Sequence, residues 1–352
     1  MRTKYLQEDL EILASELNKK EFGGSTILVT GATGLIGSLC LKSVAVYNSL
    51  FKRKIHAIGL ARSEEKVKIA FEDEYAEGQM DDIEFLYQDI SDPLSKSLCC
   101  DYVIHTANST TSKFFMTNPV EVIESIYTGT KRILDFATEA GVKGIVYLSS
   151  MEVFGRVDSE ERINEDQLGY LDIHNIRSCY SEGKRLAELL CECYASEYSI
   201  PVKTARLAQT FGAGVPATEN RVFAQFARSA IKGEDIVLHT TGQSVGNYCY
   251  TRDVIKALFL LLREGENGKA YTVVNEKTTR TIADMAQMVA EMFSDGKSKV
   301  VFDIPKGNQY GYAPDTQMRL SGEKLKGLGW KPEVSLEEMY QRMIPSLVFG
   351  SD

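Results

Sequence analysis

Apolar positions follow two rhythms along this chain, and the switches between them mark its elements. Leu6, Leu10, Leu13 and Leu17 recur at helical spacing, which predicts an opening amphipathic helix ended by Gly23-Gly24. Short apolar runs then alternate with helix-like stretches. TILVT, KIHAIGLA, IEFLYQD, DYVIHTA, KGIVYLSS and PVKTARL read as strands, with helices over about 119–140 and 181–198. Near-continuous apolar strands are buried on both faces, so the pattern predicts an α/β fold built on a doubly wound parallel sheet. Beyond Thr210 the alternation weakens, and FGAGVPATENR and IPKGNQYGYAPDTQMRLSGEK read as loops. The expected organisation is an N-terminal helix (1–22), a large sheet domain (23–206, also receiving about 245–265) and a smaller C-terminal α/β lobe (207–352).

Composition adds mainly exclusions. With 43% hydrophobic and 25% charged residues, the chain has the make-up of an ordinary soluble globular protein. A net charge of -9 gives no general attraction to nucleic acid or anionic lipid, so neither is expected as a partner. The apolar runs are too short for a membrane span and the opening residues too polar for a secretion signal, so a cytoplasmic location is expected. Seven cysteines without zinc-type spacing predict reduced thiols, and four scattered histidines predict no metal site.

Gly31, Gly34 and Gly37 form G-x-x-G-x-x-G directly after TILVT. The first glycine permits a tight turn, the second a close approach of backbone to a pyrophosphate, and the third close packing of helix on strand. The following helix would offer its free N–H groups to the anion, so Gly31, Thr33, Gly34, Leu35, Ile36 and Gly37 are expected to hold a dinucleotide. That makes the large domain Rossmann-type. After the second strand, Ala61 and Arg62 stand where an acidic residue would hold the adenosine ribose, which leans towards NADP; the cofactor is NAD or NADP. Asp89 and Ile90 lie where adenine would be read, and Thr106 and Ala107 follow the fourth strand.

Tyr180 and Lys184 sit one helical turn apart and project the same way. With GATGLIG, HTANSTTS, LSSMEVFG, YSEGK, ARLAQTFG, YCYTRDVIKALF and the late LKGLGWKPEVSLEEM, the chain from about residue 25 resembles the extended short-chain dehydrogenase/reductase family, the NAD-dependent epimerases and dehydratases. CYSEGKRLAE and SSMEVFG are most similar to those of UDP-glucuronate decarboxylases and dTDP-glucose 4,6-dehydratases. The resemblance implies that Tyr180 exchanges a hydroxyl proton while the adjoining carbon is oxidised, that Ser150 holds the same oxygen, and that Lys184 anchors the nicotinamide ribose. An ammonium about 4 Å from the phenol would contribute roughly 4 kcal/mol at an effective dielectric of 20, lowering its pKa by about three units.

The resemblance also implies a nucleotide-sugar substrate, contacted by Thr110, Thr111, Ser150, Gln209, Arg221, Val222, His239 and Arg252, and a homodimer formed through the helices at about 119–140 and 181–198. Glu152 is implied as a catalytic group. Dehydratases carry Asp-Glu where this chain has Met151-Glu152, and methionine cannot protonate a leaving hydroxyl. Other family positions also differ: an asparagine is Ile126, another is Gln209, a proline is Ala213, and the diphosphate-clamping arginine is Gly246. Arg221, Arg252 or Arg319 is the candidate replacement for that clamp. The expected function is nucleotide-sugar modification through a transient 4-keto intermediate, epimerase- or decarboxylase-like. The alternatives are a 4,6-dehydratase, an NADP-linked keto-sugar reductase and a non-catalytic dinucleotide-binding regulator.

Overall fold

A computed structural model describes residues 2–108, 112–305 and 316–349. The chain opens on α1 (Lys4–Lys19), whose first turn is capped by Thr3 accepting from Leu6 N. It then forms β1 (Thr26–Thr30), α2 (Leu35–Leu50), β2 (His56–Ala61), α3 (Glu64–Ala70), α4 (Glu72–Ala76), β3 (Ile83–Tyr87) and β4 (Tyr102–His105). Next come α5 (Ser112–Thr117), α6 (Pro119–Ala140), β5 (Gly144–Ser150), a 3-10 turn over Met151–Phe154, α7 (Ser178–Tyr198) and β6 (Val202–Leu207). The rest supplies β7 (Gln209–Phe211), α8 (Val222–Lys232), β8 (Ile236–Leu238), β9 (Val245–Tyr250), α9 (Thr251–Glu264), β10 (Ala270–Val273), β11 (Asn275–Thr281), α10 (Ile282–Phe293), β12 (Val300–Phe302), α11 (Glu323–Lys326) and α12 (Leu336–Phe349).

Seven strands form the main sheet in the order β3-β2-β1-β4-β5-β6-β10, and every pairing in it is parallel. The strand order reverses between β1 and β4, and in such sheets the crevice outside the carboxyl ends at that point is where ligands bind. The edge strand β10 comes from the stretch the sequence reading gave to the smaller lobe. AYTV is too short to advertise itself, and it is placed by its register on β6 rather than by local pattern. The opening helix lies as its leucines require: Leu6, Leu10, Leu13 and Leu17 are buried in the same core as α2 and α9. A second core forms around Phe211, Phe223, Tyr248, Tyr250, Met285 and Tyr340. Leu35, at the start of α2, packs against both cores. Among the described residues no helix is long and apolar enough to cross a membrane.

Candidate functional site

The glycine turn lies at the sheet's reversal point. Gly31 adopts φ +68, where a Cβ would be strained and would also stand 2.7 Å from Thr106 Oγ1. A Cβ on Gly37 would run into the Gly31 carbonyl, so the third glycine is what lets α2 sit against the turn. Gly34 differs: apart from the Gly31 carbonyl at 3.3 Å, open space faces it. It is also the N-cap of α2 and has no side chain to cap the first turn. The N–H groups there are therefore offered outward, a cradle suited to a pyrophosphate. Thr33 and Gly34 line the turn, followed by Leu35 and Ile36. Thr106 and Ala107 close its other side, because Thr30 Oγ1 accepts from both of their backbone N–H groups at 3.1 Å.

Past this turn, Arg62 is largely exposed and reaches Asp89 only at 4.0 Å, while Ile90 packs towards Gly129 of α6. Both polar atoms of the Asn108 side chain are buried just beyond β4 without a hydrogen-bond partner among the described residues. A buried orphan amide calls for an explanation, and a bound ligand beside the turn supplies one. Sequence reasoning missed Asn108 because nothing local distinguishes it. These features fit a nicotinamide dinucleotide.

A buried relay of side chains runs from the turn to the tyrosine. Thr30 Oγ1 lies 2.7 Å from His105 Nδ1, and the His105 and Tyr147 rings are 5.5 Å apart. Lys184 Nζ sits 4.6 Å over the Tyr147 ring and donates to the Leu148 carbonyl at 2.6 Å. Burial pushes the His105 imidazole down to about 3, with Lys184 adding to the effect. Tyr180, on the first turn of α7, is buried, hydrogen-bonded to Ser150 and stacked 4.4 Å from the Phe115 ring.

The expected acidification of this phenol by Lys184 is not what the chain's own groups produce. Burial drives the Tyr180 hydroxyl well above its ordinary value, and the Glu152 carboxylate pushes it further. Ser150, Arg177 and Arg221 pull the other way without cancelling the rise. The Lys184 ammonium lies 5.9 Å from the Tyr180 ring centre and is itself held down to about 7 by burial, against opposing pulls from Glu188 and Cys191. Desolvation therefore outweighs the neighbouring-charge argument.

A pH effect follows from Lys184. Its folded pKa lies below the unfolded value near 10.4, so between the two the unfolded chain holds the proton more tightly. Wild type should gain stability relative to Lys184→Met by a few kcal/mol as pH rises from about 7 to about 10. Urea unfolding at the two pH values reads the change, and a constant gap would contradict it.

Glu152 is clamped. Arg177, which the sequence reading did not single out, forks onto both carboxylate oxygens at 2.7 and 3.0 Å, and Ser181 Oγ donates to Oε2 at 3.1 Å. Arg177 stands one turn before Tyr180, a spacing that could have flagged it.

The substrate-side residues scatter more than expected. Arg221 stands at the N-cap position of α8, pairs with Glu219 at 2.7 Å, lies 4.9 Å over the Phe223 ring and exerts a lowering pull on the Tyr180 phenol; Val222 follows it. Gln209, on β7, keeps a buried side-chain carbonyl oxygen without a partner among the described residues. Arg252 is spent elsewhere: it is buried against Asp9 of α1 at 3.0 Å and also reaches Glu333. It is therefore not available to clamp a diphosphate. His239 lies beyond β8 with Nδ1 2.9 Å from the Asp303 carbonyl. Arg319 is exposed next to Leu320. A Cβ on Gly246 would meet the Tyr248 hydroxyl at 2.7 Å, so the tyrosine crowds the place where the family's arginine would start. Thr110 and Thr111 lie outside the described residues.

Residues 27–275 match the NAD dependent epimerase/dehydratase family. The chain belongs to that family. It is an NAD-dependent enzyme of the epimerase/dehydratase kind, as the motif order led one to expect. It is 27% identical over 339 residues to UDP-glucuronic acid decarboxylase 6 of Arabidopsis thaliana, covering 93% of this chain and 90% of the relative. A UDP-glucose 4-epimerase from Thermotoga maritima shares the fold at TM-score 0.75 and 21% identity, covering 93% of this chain and all of that one. An epimerase from Methanothermobacter thermautotrophicus does so at TM-score 0.77 and 22% identity, covering 96% of each chain.

Proposed function

We propose that the chain binds NAD in the β1–β4 crevice and converts a UDP-linked uronic acid into a UDP-linked pentose and carbon dioxide. One observation carries this reading. At the carboxyl end of β5 the hydroxyl of Ser150, the phenol of Tyr180 and the carboxylate of Glu152 gather, and the adjoining Met151 supplies no second acid. Loss of water beside a ketone needs an acid for the departing hydroxyl, which methionine cannot be.

A uronic acid needs less help. Oxidised at C4 it is a β-keto acid: the C5–C6 bond breaks, carbon dioxide leaves, and the electron pair moves onto the ketone oxygen. A solvent proton then adds to C5 and restores the ketone for reduction. The bound dinucleotide supplies the two-electron acceptor and donor at C4, together with a positive ring that offsets the raised pKa of Tyr180. Tyr180 takes and returns the C4 hydroxyl proton, Ser150 holds that oxygen, and Lys184 offers a donor to the cofactor ribose. Asp89 beside Arg62 disfavours a 2′-phosphate, which supports NAD over NADP.

Relatives at this similarity include UDP-glucuronic acid decarboxylases of Danio rerio and Arabidopsis thaliana, which supports the uronic acid. Mass spectrometry of UDP-, dTDP-, GDP- and CDP-sugars incubated with the protein tests it. UDP-glucuronate should yield UDP-pentose and carbon dioxide without added reductant. Water loss from a hexose, or stoichiometric NADPH consumption, would contradict the reading.

Exposed Val120, Ile123 and Tyr127 of α6, with Leu186 and Leu189 of α7, support a homodimer through these helices, and seven free cysteines suit a reducing cytoplasm. In sedimentation, Leu189→Glu should shift the dimer to monomer; an unchanged dimer would exclude this face.

A further inference from the structure

We propose, granting the reaction above, that Arg177 is a positioning residue: it holds Glu152 as a hydrogen-bond acceptor and keeps that carboxylate from removing the proton on the carbon beside the 4-ketone.

The geometry is specific. Two N–H groups of Arg177 and the hydroxyl of Ser181 place three donors on the two oxygens of Glu152. Arg177, Tyr180 and Ser181 all stand at the start of α7, so one helix terminus carries both the acid–base phenol and the clamp. The guanidinium is also backed by Phe115, 5.9 Å from its ring centre, and that ring stacks on Tyr180 at 4.4 Å. Arg177 is thus fixed on two sides. The hydrogen bond to Glu152 raises the Arg177 pKa above its usual value, despite the opposing cost of burial. A forked arginine–carboxylate pair is stronger than a single hydrogen bond and fixes the plane of the carboxylate.

This matters because of where Glu152 is. Its backbone N–H donates to Ser150 Oγ at 3.2 Å and its carboxylate accepts from Ser181, the neighbour of Tyr180, at 3.1 Å, so it borders the carbon chemistry. An unrestrained carboxylate there is a competent general base. It would take the C5 proton, the electron pair of that C–H bond would move onto the ketone oxygen, and proton return from solvent would exchange or invert C5. Decarboxylation needs no such base, since the C5–C6 electron pair is released by carbon dioxide itself. A clamped Glu152 therefore leaves C–C cleavage open and closes C–H cleavage. The clamp selects the outcome after oxidation.

Two measurements test this. The first uses no substrate: thermal unfolding of Arg177→Met, Glu152→Gln and the double variant. The two losses should be strongly non-additive, and additive shifts would overturn the pairing. The second follows deuterium at C5 of UDP-glucose, which has a C5 proton but no carboxylate, during incubation in deuterium oxide. Wild type should return sugar with little C5 label, and Arg177→Met should label it at least tenfold faster. Arg177→Lys, which keeps a charge, should stay near wild type, and Arg177→Met/Glu152→Gln should lose the exchange. No exchange in Arg177→Met, or exchange that survives removal of Glu152, overturns the proposal. If wild type releases no carbon dioxide from UDP-glucuronate, the proposed reaction fails, while the unfolding and exchange results still decide the role of Arg177.

Discussion

Tyr180→Phe lowers kcat by about 10³-fold while leaving the dinucleotide Kd within about threefold, within the range for loss of one positioned acid–base group. The change removes only the hydroxyl that Ser150 meets. The ring remains stacked on Phe115 at 4.4 Å, and Lys184 keeps its bond to the Leu148 carbonyl, so neither the cleft nor the cofactor's seat is disturbed. Because burial and Glu152 hold the phenol protonated in the chain alone, the activity that depends on Tyr180 also depends on the positive ring of a bound dinucleotide. Calorimetry of dinucleotide binding beside steady-state kinetics separates the two effects. A variant with turnover within tenfold of wild type would remove Tyr180 from the chemistry.

Asp9→Ala destabilises the fold by about 3 kcal/mol, the low end for breaking a buried ion pair. Asp9, on α1, accepts from the Tyr250 hydroxyl at 2.5 Å, from Arg252 at 3.0 Å and from Arg342 at 3.4 Å. One carboxylate therefore ties the opening helix to β9, α9 and α12. Burial pushes its pKa up to about 6, only partly opposed by Tyr250, Arg252 and Arg342. The folded chain consequently holds this proton more tightly than the unfolded one, whose value is near 3.9. The stability so gained is complete below about pH 4 and is lost as pH rises through about 6. Relative to Asp9→Asn, wild type should lose about 2 kcal/mol between pH 4 and pH 7, as read by urea unfolding. A gap that widens with pH would show that the ionised form is the favoured one.

These two sites show what the sequence could and could not reveal. Six of the seven strands of the main sheet, the glycine turn and the Tyr180–Lys184 spacing depend on local pattern, and each stands within one element or one turn; the seventh, β10, is fixed only by its register on β6. The partner of Arg252 does not: Asp9 lies 243 positions away, and an arginine beside an aspartate in TRD reads equally well as a substrate clamp. The raised pKa of Tyr180 was hidden for a related reason. Proximity to Lys184 is visible at i, i+4, but the desolvation that overrides it comes from Phe115 and the helices around it. Arg177 was legible in part, since it precedes Tyr180 by one turn. Its forked hold on Glu152 joins two segments that no spacing rule connects.

The most direct test of the account is the fate of the hydrogen on C4. UDP-glucuronate carrying deuterium at C4, incubated with the protein in ordinary water and without added dinucleotide beyond what it retains, should give UDP-pentose with the deuterium still on C4. Loss of that label to solvent, or product formed only when NADPH is supplied stoichiometrically, would contradict oxidation and reduction within one closed turnover.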